Sequence, residues 1–239
     1  MATEGFNRKL AAILSADAVG YSRLMGEDEA ATVRTLETYK KVISDLIQQH
    51  RGRVVDSPGD NLLAEFASVV DAVQGAVAVQ KEIKARNLEL PETRRMQFRI
   101  GINLGDVIEE EDRIYGDGVN IAARLESLAD PGGICVSKTA FELIETKLPL
   151  GYEYLGEQTV KNIAQPVGAY RVLMEPGVRV QARAKVQPKK GAGWRPMIIA
   201  LVAVLVLAVG GAVLWRFVLS PAACTTGTTS QPAGGTMCK

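Results

Sequence analysis

The chain has 239 residues and is 47% apolar, which is enough for a domain with a hydrophobic core and for further segments. Its 28 Lys and Arg residues nearly balance 27 Asp and Glu, so a net charge of +1 gives no electrostatic reason to expect nucleic acid as a partner. Three cysteines without CxxC spacing and one histidine exclude a zinc site of the usual composition. Any metal would be held by carboxylates, which suit Mg²⁺ or Mn²⁺.

Strand and helix patterns alternate through residues 8–175, which we predict to form one domain. The apolar run KLAAILSADAV predicts a buried strand, and residues 27–52 have the 3.6-residue period of an amphipathic helix that ends at Gly52. RVVD and NLLAEF flank the turn sequence SPGD, which predicts a hairpin. Residues 68–87 predict a second long helix.

The second half of the domain continues the same alternation. QFRIGINLGDVIEE predicts a pair of strands, and residues 118–129 predict an amphipathic helix. A strand at GICVS, a helix at KTAFELIET and strands at YEYLGEQTV and GAYRVLM follow. The order β-α-β-β-α-β predicts an α+β fold, a ferredoxin-like α/β sandwich with helices on one face of a largely antiparallel sheet.

The C-terminal part of the chain has a different composition. Residues 176–196 are rich in Pro, Gly and basic side chains and predict a linker. The uncharged run at 197–215 is long enough to cross a bilayer, so we predict a transmembrane helix at 197–219 and a short extracytoplasmic tail at 220–239. The basic residues before the run predict a single-pass protein of the inner (plasma) membrane with its domain in the cytoplasm. Cys224 and Cys238 in the tail either pair or remain free thiols.

Two aspartates lie at the ends of predicted strands. Asp17 ends the first strand, and Asp60 lies in the hairpin turn. Each alone is typical of a strand end or a turn. If the first strand pairs with the hairpin, the two carboxylates converge, and they repel each other unless a divalent cation lies between them.

Two polar side chains share one face of the helix at 118–129. Asn120 and Arg124 are four residues apart, so they lie one above the other. A neutral donor and a cation at this spacing suit the stabilisation of charge that develops on phosphoryl oxygens. The sequence has no GxxxxGK[ST] phosphate loop. We expect Val119, Ala123 and Leu125 to anchor the helix to the sheet.

Five segments, in order along the chain, resemble the class III nucleotidyl cyclases, the adenylate/guanylate cyclase catalytic domain. ILSADAVGYSRL resembles the first metal-binding strand of that family, and SPGDNLLAEF resembles the hairpin with its second metal aspartate. FRIGINLGDV resembles its central strand, and YGDGVNIAARLESLADPGGICVS resembles its signature helix. VKNIAQPVGAYRV resembles its last strands, so the resemblance runs from about residue 10 to residue 174.

The resemblance implies a role for each matching residue. It implies that two Mg²⁺ or Mn²⁺ ions are bound by Asp17 and Asp60, with the carbonyl of Ala18 as a further ligand. It implies that Asn120 positions the ribose, Arg124 stabilises the transition state, and Lys161 holds the terminal phosphates. In the family the metal aspartates and the Asn/Arg pair come from different subunits. A chain with one such domain is therefore expected to form a homodimer with two shared sites.

The sequence departs from the family pattern at the positions that read the base. Where many adenylate cyclases have a lysine four residues before the second metal aspartate, this chain has Asp56. Where they have an aspartate seven residues before the asparagine, it has Arg113, with Asp112 beside it. A purine reader of inverted polarity, Asp56 with Arg113, is one interpretation. ATP is the expected substrate, and the alternatives are GTP or a catalytically silent nucleotide-binding or regulatory module.

Overall fold

The computed structural model describes residues 7–110, 112–159, 163 and 165–174. These residues form one eight-stranded sheet with helices on both faces. The first half contains β1 (Asn7–Ala18), α1 (Tyr21–Glu27), α2 (Glu29–Gln49), β2 (Gly52–Asp56), β3 (Asn61–Phe66) and α3 (Val69–Leu88). A 3₁₀ turn (Glu92–Arg94) leads to β4 (Phe98–Glu110), β5 (Arg113–Tyr115), α4 (Asp117–Leu128), β6 (Ile134–Ser137), α5 (Lys138–Ile144), β7 (Gly151–Gln158) and β8 (Val167–Leu173).

The sheet has the strand order β2-β3-β1-β4-β6-β8-β7, and β5 pairs with β4. The pairing of β4 with β6 is parallel, and every other pairing between described strands is antiparallel. The predicted α+β class and largely antiparallel sheet are therefore confirmed. The predicted strand pair at residues 97–110 is wrong, because β4 runs without a break for 13 residues.

The larger core lies between one face of the sheet and α2, α3 and α5. Alternate residues of β1, such as Ala12 and Leu14, point into it, as the period of two for a strand requires. From α2 it receives Tyr39, Ile43 and Ile47 at helical spacing. A local signal sets the start of this helix, since the Asp28 carboxylate accepts a hydrogen bond from the Ala31 amide (2.9 Å). The helix ends at Gln49.

The prediction that the helices cover one face of the sheet is wrong, because α4 lies on the opposite face. There Ala122 packs with Ala11, Ile13, Val107 and Ile114. The close approach depends on Gly101 in β4, since a Cβ at this position would lie 2.1 Å from the Ala122 carbonyl oxygen. Helix α4 therefore rests directly on the backbone of the central strand.

Within the described part of the chain, no helix has both the length and the apolar character needed to cross a bilayer. The predicted linker, transmembrane helix and tail at 176–239 lie outside the described residues, as do Cys224 and Cys238.

Candidate active site

The pairing of β1 with β3 brings Asp17 and Asp60 to the same end of these two strands. Strand β1 pairs antiparallel with β3 so that Asp17 lies opposite Asn61, the residue that follows Asp60. The Ala18 amide donates a hydrogen bond to the Asp60 carbonyl oxygen (3.3 Å). Both aspartates are half-buried. The adjacency that the sequence required for a shared carboxylate site is therefore present.

The turn that carries Asp60 is held from two sides. Gly59 has a φ of +54°, a left-handed conformation that glycine adopts at little cost, and the Asn61 amide donates to the Pro58 carbonyl oxygen (3.0 Å). From α2, the Lys40 ammonium donates to the Ser57 carbonyl oxygen (3.0 Å). The position of Asp60 thus depends on the turn and on the neighbouring helix.

Arg99, which the sequence reasoning missed, lies beside Asp17. It occupies the position in β4 directly opposite Asp17, and its Nη2 donates to Asp17 Oδ2 at 2.6 Å. The signal is present in FRIGIN, where Arg99 and Asn103 alternate with buried apolar residues and so share one face of the strand. The cationic guanidinium lies against the carboxylate that is expected to bind metal.

Glu126 is the second residue that the sequence reasoning missed. This carboxylate on α4 is only 4% exposed, and its Oε2 accepts hydrogen bonds from Ser15 Oγ (2.8 Å) and Asn61 Nδ2 (3.3 Å). Burial raises the pKa of Glu126, and the nearby charge of Asp17 raises it further. Its position one turn after the buried Ala122, on the apolar face of the helix, was the available signal.

Asn120 and Arg124 lie on the outer face of α4, and both are exposed. Among the described residues, Arg124 has no ion-pair partner. The expectation that Ala123 anchors the helix is wrong, since Ala123 is exposed, as its position three residues after the exposed Asn120, on the same helical face, explains. Ala122 and Leu125 are buried instead, and Val119 is partly buried. The Asn/Arg pair therefore points away from the sheet of its own subunit.

The positions expected to read the base lie near β2 and β5. Asp56 is half-buried at an irregularity in the pairing of β2 with β3, and its Oδ1 accepts from the Ser57 amide (2.8 Å). Asp112 has a φ of +68° and forms an ion pair with Arg53 Nη1 (2.8 Å), although its side chain is 92% exposed. Arg113 is exposed at the start of β5. Lys161 lies outside the described residues.

The oxygen ligands at this end of β1 and β3 fit a magnesium-type ion that is shared with a phosphate substrate. Within the described ranges, no group of three or more His, Cys, Asp or Glu side chains is close enough to hold a metal by itself. Mg²⁺ commonly binds one or two carboxylates and takes its other ligands from substrate phosphates and water. Asp17 and Asp60, with the carbonyl of Ala18, match that arrangement.

Comparisons with known proteins identify the family of this domain. Residues 7–176 match the family model described as the adenylate and guanylate cyclase catalytic domain. The chain is 47% identical over 168 residues to "Putative adenylate cyclase 3" of Rhizobium meliloti (strain 1021), covering 70% of this chain and 29% of that protein. It is 33% identical over 149 residues to an adenylate cyclase of Streptomyces coelicolor, covering 60% of this chain and 36% of that protein. The chain thus spans about a third of the length of these relatives.

A similar fold is found among solved structures. The adenylate/guanylate cyclase/hydrolase of Silicibacter pomeroyi superposes with a TM-score of 0.67 at 38% identity, covering 71% of this chain and 99% of that one. The family match extends over more than half of the chain and includes the strands, the turn and the helix that carry the candidate site. The chain belongs to the family of adenylate and guanylate cyclase catalytic domains.

Proposed function

We propose that the protein is an adenylate cyclase that converts ATP to 3′,5′-cyclic AMP and pyrophosphate. The observation that carries the proposal is that Asp17 and Asp60 lie together at one end of β1 and β3, while Asn120 and Arg124 lie exposed on the outer face of α4. ATP is preferred to GTP because the relatives from Rhizobium meliloti and Streptomyces coelicolor carry adenylate cyclase names.

Asp17 and Asp60 would hold two Mg²⁺ or Mn²⁺ ions. When bound, such ions neutralise phosphate charge and lower the pKa of the ribose 3′-hydroxyl. In the reaction the 3′-oxygen forms a bond to the α-phosphorus, the bond to pyrophosphate breaks, and the hydroxyl proton passes to solvent. Asn120 would orient the ribose, and Arg124 would stabilise the charge that develops on the α-phosphoryl oxygens. Lys161 would bind the terminal phosphates.

The outward direction of Asn120 and Arg124 supports a homodimer with shared sites. Glu126 and Leu125 hold the inner face of α4 against the sheet, so Arg124 cannot turn toward Asp17 of its own subunit without releasing the helix. In a two-fold dimer each α4 would present its pair to the carboxylates of the other subunit. Two equivalent sites would result.

A direct assay tests the reaction. Purified protein with Mn²⁺ or Mg²⁺ is given ATP or GTP, and the cyclic product and pyrophosphate are measured. We expect cyclic AMP from ATP, and loss of most activity in Asp17→Asn and Asp60→Asn with the circular dichroism spectrum unchanged. A preference for GTP would make the protein a guanylate cyclase. Binding of nucleotide without any cyclic product would make it a silent module.

Complementation tests the sharing of sites. An Asp17→Asn chain is mixed with an Arg124→Ala chain, each inactive alone. If sites are shared, each heterodimer has one intact site and one doubly damaged site, so random exchange should restore about a quarter of the wild-type sites. If the mixture remains inactive after subunit exchange has been demonstrated, each chain builds its site alone.

We also propose that the domain lies in the cytoplasm, tethered to the inner membrane through residues 197–219. The support comes from the sequence, in which an uncharged run follows a basic segment.

A further inference from the structure

Glu126 contacts three adjacent strands, β3, β1 and β4, at the end where Asp17 and Asp60 lie. Its carboxylate accepts from Ser15 in β1 (2.8 Å) and from Asn61 in β3 (3.3 Å), and its Oε1 lies 4.0 Å from Arg99 Nη2 in β4. A buried carboxylate costs free energy unless such partners satisfy it. One side chain of α4 thus connects the helix to β1, β3 and β4.

Each of these partners is a direct neighbour of a proposed metal ligand. Ser15 precedes Asp17 by two residues and therefore shares its strand face, and Asn61 follows Asp60. Arg99 donates to Asp17 at 2.6 Å. Glu126 Oε1 lies 4.0 Å from the same Arg99 nitrogen, so this guanidinium group lies between the carboxyl groups of Asp17 and Glu126.

Helix α4 has little freedom to move where Glu126 is attached. A Cβ on Gly101 would lie 2.2 Å from the Glu126 amide nitrogen, so helix and strand are in backbone contact here. Two residues earlier, Arg124 projects from the outer face of the same helical turn. A shift of the metal-binding end would therefore be transmitted to Arg124.

We propose that Glu126 is a positioning residue that fixes the metal carboxylates of its own subunit to α4, and so couples that metal site to the Asn120–Arg124 face that serves the partner. The coupling to the partner rests on the proposed function with shared sites. The positioning of Asp17 and Asp60 by Glu126 depends only on contacts within one subunit.

The first test measures metal binding without turnover. Mn²⁺ is titrated into the full-length protein, and the free ion is measured by electron paramagnetic resonance. We expect Glu126→Gln to weaken Mn²⁺ binding about 10-fold, as loss of a residue that orients metal ligands commonly does. Ser15→Ala removes one of the three contacts and should give a smaller change in the same direction, which keeps the test informative if Glu126→Gln folds poorly.

Asn103→Ala is the matched control. Asn103 is 3% exposed and also ties α4 to the sheet, since its Nδ2 donates to the Gly118 carbonyl oxygen (3.1 Å). Within the part of the chain that the structure describes, its side chain forms no hydrogen bond with Ser15, Asn61 or Arg99. We expect it to lower thermal stability with Mn²⁺ affinity unchanged. Equal Mn²⁺ affinity in wild type, Glu126→Gln and Ser15→Ala would overturn the proposal, and so would an equal loss in Asn103→Ala.

The second test separates the two sites in the complementing heterodimer. Its intact site takes its carboxylates from the Arg124→Ala chain and its Asn/Arg pair from the Asp17→Asn chain. Glu126→Gln in the Arg124→Ala chain should raise the Mn²⁺ concentration for half-maximal activity. The same change in the Asp17→Asn chain should lower kcat and leave the Mn²⁺ requirement unchanged.

The result distinguishes the two proposals. Identical effects from either chain would refute the coupling while cyclase activity stands. Absence of cyclic product from the wild type would refute the proposed function, and the Mn²⁺ titration would still decide whether Glu126 positions the carboxylates.

Discussion

Arg124 is an exposed cation on the outer face of α4, and its role depends on what lies opposite it. If it stabilises the transition state, Arg124→Ala should lower kcat by roughly 10²-fold or more, as removal of other preorganised charge stabilisers does. The KM for ATP should change little, because the interaction strengthens only as charge develops.

Steady-state kinetics with ATP and Mn²⁺ measure both constants. Lys138→Ala is the control, since Lys138 is also an exposed cation but lies at the start of α5. A large rise in KM with kcat unchanged in Arg124→Ala would show that the arginine binds substrate and transition state equally.

Cys135 shows how burial suppresses a reactive group. It is fully buried in β6 among Leu125, Ala129 and Ala169, and burial raises its thiol pKa from 9.0 to about 12. The folded protein therefore keeps the thiol proton at a pH where the unfolded chain loses it. Ionisation of this thiol in the unfolded chain therefore leaves the stability of the folded protein unchanged well below pH 9.0 and lowers that stability as the pH rises from 9.0 toward 12.

The matched comparison is wild type against Cys135→Ala. Between pH 8 and pH 10 the free energy of unfolding of the wild type should fall by about 1 kcal/mol more than that of the variant. Urea unfolding at several pH values measures the difference, in which groups common to both proteins cancel. Parallel curves would show that the thiol ionises in the folded state as it does in the unfolded chain.

At the scale of elements, the contact between α4 and β4 leaves no room for a side chain at Gly101. A methyl group at Gly101 would meet backbone atoms of Ala122 and Glu126 at 2.1 and 2.2 Å, and backbone cannot rotate away as a side chain can. Gly101→Ala should therefore lower the free energy of unfolding by about 3 kcal/mol or more, at or above the upper end of ordinary overpacking. Activity should fall as well, because α4 carries Asn120 and Arg124.

Gly26→Ala is the same substitution where space is open. Apart from Gly26 itself, its chain neighbours and the backbone of its own helix α1, no atom of the described residues lies within 4 Å of the added methyl group. Alanine there should be neutral or stabilising by up to about 1 kcal/mol. Thermal melts of both variants test the prediction, which fails if Gly101→Ala melts like the wild type.

The sequence predicted the strands and long helices because their patterns are local. Tyr39, Ile43 and Ile47 share one face of a 3.6-residue helix whatever surrounds them. The continuity of β4 was missed because Gly101 and Gly105 look like breaks, whereas Gly101 in fact makes room for α4. Arg99 and Glu126 were missed for a related reason, because each forms its contacts with residues that are far away in the chain.

At the scale of the whole molecule, the sequence that follows the catalytic domain makes a definite prediction about membrane topology. Residues 197–219 should anchor the protein in the membrane with the cyclase domain in the cytoplasm, because basic residues concentrate before the run. A C-terminal alkaline phosphatase fusion should be active in a bacterial host, since that enzyme matures only outside the cytoplasm.

Deletion of residues 197–219 provides the control. The shortened fusion should lose phosphatase activity and move to the soluble fraction, while cyclase activity remains. Phosphatase activity that is independent of the segment, or a full-length protein found only in the soluble fraction, would contradict the membrane assignment.

The central place of β1 in the sheet has a consequence for synthesis on the ribosome. β1 is the first described strand, but one of its two partners is β4, and Asp17 and Arg99 are 82 residues apart in the chain. At roughly 5–20 residues per second, that interval lasts about 4–16 s. During this time β1 has an open edge, a template for pairing with other chains. Nascent chains that stall before β4 emerges should therefore depend on chaperones more than those that stall after it.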